Sequence, residues 1–235
     1  YHSVRRGFVR FGPAARCLQE PRRPDLYMDD ADGESLLARL RETEETPLSR
    51  LGSSKALYAV TDGEMTGEAV RAAAADDAAA AATLFDAWAA ETTGPAADVF
   101  ADAAARAADH HDVVTHDGHQ PSEGLPLYDH LATLDGDLDR AAGLLGRAVV
   151  VGKRLEQTVG FFVGDADPQT ADEMRELRAD LDAERADAVA LLGAVCAEPA
   201  DWERAHETAA GVVGVAYDDY VERLEAMGVK PKNVC

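Results

Sequence analysis

The sequence predicts an all-α protein, and three observations support that fold class. From Met28 onward, apolar residues recur with the 3.6-residue period of helices, whereas no segment shows the alternation typical of strands. Proline, glycine and capping residues divide this pattern into segments of helical length. Alanine, which favours helix and allows helices to approach closely, is dense over residues 67–108. We therefore expect a tightly packed bundle.

Caps and prolines place the helix ends in order along the chain. Thr46-Pro47, Gly94-Pro95, Asp167-Pro168 and Glu198-Pro199 each put a proline in the first helical turn. Residues 117–126 form the longest predicted loop and carry the crossover between helices. The expected segments are about 34–44, 46–60 ending at Asp62-Gly63, 67–91 after the N-cap Thr66, 95–116, 127–163 with a potential break near Asp135-Gly136, 168–196, and a last one from Pro199 that closes at Gly228. This pattern predicts a bundle of about six helices.

The charge balance limits the classes of partner. The chain has 23 basic and 44 acidic residues, a net charge of −21, which argues against nucleic-acid binding because phosphate contacts need clustered Lys and Arg. Only four basic residues are lysines, and the acidic excess extends over every segment after residue 27. This composition resembles that of cytoplasmic proteins from salt-accumulating halophilic archaea. A mesophilic acidic protein with a basic partner is the alternative.

The first 27 residues differ from the rest in charge. They carry six arginines against two acidic residues, a net charge of +4, which leaves −25 for the remainder. Ser3-Val4-Arg5-Arg6-Gly7-Phe8-Val9 is similar to a twin-arginine export signal, although no apolar region follows it. A basic arm that docks on the acidic body is a second interpretation. We favour a third, in which Met28 is the start and residues 28–235 form a single helical-bundle domain.

Cysteine spacing and hydropathy indicate a cytoplasmic protein. Cys17, Cys196 and Cys235 form no Cys-x-x-Cys pair and no even framework, as expected in a reducing compartment. The longest uncharged run is about ten residues, and about 18 are needed to span a bilayer. We expect no membrane association.

Five polar residues interrupt predicted apolar helix stripes. They are Asp77, His110, Glu156, Glu184 and His206. Because an unpartnered buried carboxylate costs several kcal/mol, such residues have partners. Two kinds of partner are open. Carboxylates and histidines from facing helices can hold two iron or manganese ions. Alternatively, they form core ion pairs, for which Arg147, Lys153 and Arg154 are the neighbouring cations.

Some local sequence resembles the rubrerythrin branch of the ferritin-like superfamily, over roughly residues 47–197. Leu51-Gly52-Ser53-Ser54-Lys55-Ala56 is similar to the family's first Gly-Glu-Ser-x-Ala element, with Ser53 in place of the metal-binding Glu. Ala107-Ala108-Asp109-His110 is similar to its Glu-x-x-His pair, with Ala107 in place of Glu, although Asp77 is an alternative if the second helix is 67–91. Glu184 to Asp187 matches the last such pair, with Asp for His, and Glu156 the third-helix Glu.

The resemblance implies a ferritin-like bundle with a degenerate di-metal site. The implied metal ligands are His110, Glu156, Glu184 and Asp187, and iron or manganese would be the metal. The Cys-x-x-Cys electron-relay module of rubrerythrins is absent from the sequence.

A second candidate metal site lies in the His-rich segment 109–119. Asp109, Asp112, His116 and His119 share one face if the helix continues, with spacings of three, four and three residues. The alternative is a solvated helix end at which His favours the C-terminal dipole.

Taken together, these features predict a non-enzymatic interaction or regulatory protein of a halophilic archaeon, acting as a homodimer without a cofactor. One alternative is a di-iron oxidoreductase or peroxidase that uses Glu156, Glu184, Asp187 and His110. Another is metal sensing or storage through residues 109–119.

Overall fold

The computed structural model describes residues 32–115, 119, 121–122 and 124–231. These residues form helices without any strand, so the all-α prediction is confirmed. The basic segment 1–27 lies outside the described residues. The helices of the described part are α1 (Gly33–Thr43), α2 (Glu45–Leu51), α3 (Ser54–Val60), α4 (Gly67–Glu91), α5 (Pro95–Val114), α6 (Pro126–Leu131), α7 (Gly136–Gly164), α8 (Pro168–Val195) and α9 (Pro199–Ala226).

Local capping chemistry sets several of these boundaries as predicted. The Thr66 hydroxyl accepts a hydrogen bond from the Ala69 amide at 3.2 Å, and α4 begins there. Asp167 caps α8 through the Thr170 amide at 3.1 Å. At the start of α9 the Asp201 carboxylate accepts from the Glu198 amide at 2.9 Å and from the Ala197 amide at 2.8 Å. The prolines after Gly94, Asp167 and Glu198 lie in first helical turns, where a missing N–H costs nothing.

The described residues form nine helices, where the sequence predicts about six. The expected helix 46–60 is two helices, because the chain breaks at Gly52-Ser53, where the Ser53 hydroxyl donates to the Arg50 carbonyl at 2.6 Å. Its expected start at Thr46-Pro47 is wrong, since α2 begins at Glu45. The potential break near Asp135-Gly136 is confirmed, because the Asp135 carboxylate caps α7.

Two groups of helices make up the bundle. α4 and α5 form a close hairpin through Gly94, whose positive φ of 71° suits glycine. α7 packs closely against α8 and α9, and α1, α2, α3 and α6 lie against α9. Buried apolar side chains from all nine helices of the described part belong to one cluster. None of the described helices has the length and apolarity that crossing a membrane requires.

Close approach of α7 to α9 depends on Gly146. A Cβ at this position would lie 2.8 Å from the Val212 Cβ and 2.9 Å from the Ala209 carbonyl oxygen. No side chain fits between helices at that separation, so glycine allows the two backbones to touch. Gly152, further along α7, has no atom within 4 Å of the corresponding point.

The α4 backbone approaches α7 at few points, unlike the tight α4–α5 and α7–α8 pairs. Much of the α4 face toward the core is alanine, with Ala75, Ala78 and Ala81 buried. Large side chains therefore have to fill the space between α4 and α7. Three of them are arginines of α7, and they form the most polar part of the interior.

Candidate functional site

Three arginines spaced seven residues apart follow one face of α7 toward α4. We call Arg140, Arg147 and Arg154 the arginine row. A spacing of seven is two helical turns, so the three side chains project in nearly the same direction. Arg140 and Arg147 are buried, and the Arg154 side chain is 20% exposed.

Arg147 is at the centre of the row and joins three other helices. Its Nη1 donates to the Glu184 Oε1 of α8 at 2.8 Å, and its Nη2 to the Asp77 Oδ2 of α4 at 3.0 Å. Its Nε donates to the Tyr128 hydroxyl of α6 at 3.1 Å. The guanidinium also lies over the Phe85 ring, 5.5 Å from the centroid. Every nitrogen of this side chain is used, although only 2% of it is exposed.

The buried charges balance. Asp77 accepts a second hydrogen bond, from Arg154 Nη1 at 3.2 Å, so two guanidinium groups face two carboxylates. Burial by itself lowers the pKa of Arg147, but Glu184, Tyr128 and Asp77 outweigh it and raise that pKa well above its ordinary value. Burial raises the pKa of the Tyr128 phenol. Arg147 therefore stays charged, and Tyr128 stays protonated.

Arg140, two helical turns before Arg147, makes an ion pair and a ring contact at the C-terminal end of α4. Its Nη2 pairs with Glu91, its Nη1 donates to the Thr92 hydroxyl at 3.2 Å, and its guanidinium lies 5.8 Å from the centroid of the Trp88 ring. The arginine row thus joins α7 to α4 along both helices through ion pairs and ring contacts.

Two cavities share the Asp77–Arg154 ion pair in their lining. The smaller, about 20 Å³, is lined by apolar residues together with Asp77, His110, Arg147 and Arg154, and it has room for about one water. The larger, about 90 Å³, lies toward α6 and α9. Asp77 and Arg154 line both cavities, as do Val60 and Ala73.

Two predicted metal ligands, His110 and Glu184, lie in the interior. Glu184 is 1% exposed and holds Arg147. His110 is 5% exposed, and its Nε2 lies 3.0 Å from the Asp180 Oδ2 of α8. Each therefore already has a partner, and the partner of Glu184 is a cation.

The other two predicted ligands, Glu156 and Asp187, lie nearer the surface. Glu156 accepts from Lys153 Nζ at 3.1 Å and from Arg178 Nη2 at 3.0 Å. Asp187 pairs with Arg106 of α5, and its side chain is 42% exposed. The expected cations Arg147, Lys153 and Arg154 thus pair with the carboxylates Asp77, Glu156 and Glu184.

The four side chains do not fit a di-metal centre. Within the described residues, no three His, Cys, Asp or Glu side chains are grouped so that they could hold a metal ion. A permanently charged guanidinium lies between the buried carboxylates Asp77 and Glu184 and repels a second cation there.

The His-rich segment is described only in part. His116 lies outside the described residues. His119 Nε2 lies 2.9 Å from the Asp76 Oδ1, and Asp76 also accepts from the Ser122 amide and hydroxyl. Asp109 and Asp112 are exposed. Asp76 thus connects the loop after α5 to α4, a role that no sequence pattern indicated.

His206 is a second buried histidine, at the contact of α9 with α1. Its Nε2 lies 3.1 Å from the Thr43 hydroxyl oxygen, and the residue is 8% exposed. Burial and the nearby Arg39 lower its pKa, and the opposing effect of Glu203 is smaller. The neutral imidazole is therefore the form that the fold favours.

Arg140 and Tyr128 belong to the site but were not predicted from the sequence. The seven-residue spacing of Arg140, Arg147 and Arg154 was a usable signal, because three cations on the apolar face of a helix require buried acceptors. Nothing local marks Tyr128, since its role depends on where α6 lies.

No family model, curated protein or solved structure matches this chain.

Proposed function

We propose that this chain is a non-enzymatic interaction protein with a ferritin-like bundle, from a salt-rich archaeal cytoplasm, and that one end of the bundle binds a partner. The observation that carries the proposal is the position of Met65, Val113 and Val163. These are the exposed large hydrophobic residues of the described part of the chain, at 38%, 43% and 55% exposure. Scattered apolar residues need no explanation, but residues gathered at one end indicate a contact surface.

Contacts between helix ends gather these three residues. Met65 precedes the start of α4, Val113 lies in the last turn of α5, and Val163 in that of α7. Arg71, near the start of α4, donates to the Val113 carbonyl at 3.2 Å and to the Thr170 hydroxyl of α8 at 2.8 Å. We call the surface around Met65, Val113 and Val163 the apolar end.

Acidic residues surround the apolar end. Glu64, Glu68, Asp112 and Asp165 are exposed there, within two or three residues of the apolar side chains. A partner segment that combines apolar side chains with Lys or Arg matches this surface in both respects. Nucleic acid and a second copy of the same acidic end are both repelled at low ionic strength.

The buried ion pairs support a role without catalysis. A general base needs a free lone pair, and a nucleophile needs an adjacent base. Both oxygens of Asp77 accept from guanidinium groups, and Glu184 is held by Arg147 in the interior. Asp77 and Glu184 therefore hold the helices of the bundle together through ion pairs with arginines of α7.

A labelled peptide tests the apolar end. We would titrate the full chain into a fluorescein-labelled amphipathic peptide of Leu and Lys, in KCl at which circular dichroism shows the native helix content, and follow anisotropy. Val113→Asp and Val163→Asp should each weaken binding about tenfold, because each removes an exposed valine that the peptide would cover. Ala132→Asp adds the same charge after α6, near the other end of α7, and should leave affinity unchanged.

Two results would overturn this assignment. Equal affinity of wild type and both valine variants would remove the apolar end as the binding surface. If a Ser-Lys peptide without apolar residues bound with the same affinity as the Leu-Lys peptide, the interaction would be non-specific charge attraction. Light scattering on the same samples tests the predicted homodimer.

The di-iron alternative has a separate test. Elemental mass spectrometry of untagged protein, purified in high KCl without chelator, should find no stoichiometric iron or manganese. Two metal ions per chain, lost in Glu156→Ala and Glu184→Ala, would revive the oxidoreductase. One zinc or nickel ion, lost on substitution of His116 and His119, would support metal sensing or storage instead.

A further inference from the structure

The larger cavity has a wall of mixed charge that none of the preceding functions uses. It measures about 90 Å³ and lies between α3, α4, α6, α7 and α9. Arg154 of α7 and Arg223 of α9 both line it, together with Tyr128 and Asp219. At roughly 10–15 Å³ for each water, it holds about six to nine waters or a molecule of similar size.

Both arginines retain unused donors. A guanidinium carries five N–H bonds. Among the described residues, Arg154 donates only to Asp77, while Arg223 donates to Asp219 at 2.9 Å and to Asp62 at 3.4 Å. Their side chains are 20% and 27% exposed, and no nitrogen of either is both sealed from solvent and without a partner, so water reaches the free donors and an entering ligand would replace that water. Donors in such a position favour an acceptor that enters the cavity, and a carboxylate suits two guanidinium groups best.

The acidic residues of the wall select against a simple anion. Asp62, Asp76, Asp77 and Asp219 line the same cavity, and they outnumber the arginines. Asp76 and Asp77 each accept at both oxygens. Asp219 accepts from Arg223 at Oδ1, and its Oδ2 has no hydrogen bond from the described residues. A positively charged group on the ligand would find an acceptor at this oxygen.

We propose that the cavity binds a small zwitterion of the size of glycine or alanine. Its carboxylate accepts from Arg154 and Arg223, and its ammonium donates to Asp219. The two charges of the ligand thereby match the arginines and the aspartate of the wall. A simple anion or a simple cation matches only one of them. This binding is independent of the apolar end, because it uses different residues.

Ligand-observed NMR on the full chain tests the proposal. The probes are glycine, acetate and methylammonium, each at the lowest KCl concentration that keeps the native circular dichroism. We expect glycine to bind at least tenfold more tightly than either half-molecule. Equal binding of acetate would overturn the zwitterion in favour of an anion, and binding of none of the probes would overturn the site.

Two variants assign the contacts. Arg223→Gln removes carboxylate donors and Asp219→Asn removes the ammonium acceptor, and each should weaken glycine binding about tenfold or more. Arg204→Gln on the same helix is the matched control, since Arg204 pairs with Asp139 outside the cavity and its side chain is 63% exposed. Glycine affinity that falls equally in Arg204→Gln, or falls in neither cavity variant, would contradict the proposed contacts.

Discussion

Arg147 and Asp77 face each other across the space between α7 and α4, with 3.0 Å between Nη2 and Oδ2. Both are nearly excluded from solvent, at 2% and 8% exposure of their side chains. An unpaired charge in that environment has a large desolvation cost, and the attraction between the two groups offsets that cost for both of them. Glu184 supplies the second carboxylate that Arg147 requires, and Arg154 the second cation for Asp77. Two helices of one group are thus joined electrostatically to a helix of the other.

Arg147→Met should destabilise the protein by about 3–5 kcal/mol, because it leaves Glu184 buried without its cation. Chemical denaturation followed by circular dichroism measures this loss. The control is Arg204→Met, whose exposed pair with Asp139 should change the free energy of unfolding by about 1 kcal/mol or less. Adding Glu184→Gln to Arg147→Met should recover part of the loss. Equal effects of the two arginine variants would contradict the buried role of Arg147.

Gly146→Ala and Gly152→Ala should have opposite effects on stability, although both lie on α7. The new Cβ at 146 collides with Val212 and forces α7 and α9 apart, at a cost of about 1–3 kcal/mol. The Cβ at 152 meets nothing, so its higher helix propensity should stabilise by about 0.5–1 kcal/mol. Thermal unfolding of the two variants in parallel checks the prediction, and a loss at both positions would refute it.

His206 should make the protein less stable as the pH falls through about 6.5. Its pKa is lowered in the folded state, mainly by burial, so the unfolded chain binds a proton that the native chain resists. Stability from this residue is complete above the ordinary pKa of 6.5 and is lost below it, with a slope of at most about 1.4 kcal/mol per pH unit. Denaturant midpoints between pH 5 and 7.5 should show a shallower slope in His206→Gln. Parallel curves for the two proteins would exclude the histidine as the cause.

Removal of salt should unfold the protein. Dialysis from about 3 M to 0.1 M KCl lengthens the Debye length from about 3 Å or less to about 10 Å, which restores repulsion among the acidic residues. Helical circular dichroism and the melting temperature should both fall, and dialysis against 3 M NaCl serves as the control. A melting temperature that is unchanged in 0.1 M KCl would count against the halophilic assignment.

The sequence predicted what depends on nearby residues. Thr66 and Asp167 cap helices through amides three residues away, and the Asp201 carboxylate accepts from the Glu198 amide, so these signals are complete within one turn. The start predicted from Thr46-Pro47 is wrong because Glu44, which ends α1, is also the N-cap of α2, so that α2 begins at Glu45. The ion pairs of Glu184 and Asp77 were predicted only as an alternative, because their partner is 37 residues away from one and 70 from the other. Whether a buried carboxylate faces a guanidinium or a metal is decided by such distant neighbours.

The arginine row also has a consequence for local unfolding of the protein. α4 and α5 pack tightly on each other, whereas the α4 backbone approaches α7 at few points and meets it through the arginine row and the Phe85 and Trp88 rings beneath two of those arginines. We therefore expect the α4–α5 hairpin to open as one unit, with amide protons that exchange together and sooner than those of α7 and α8. If hydrogen exchange shows that order, the contact between α4 and α7 is the place at which the core opens first, and Arg147 is the side chain that joins the two helices there.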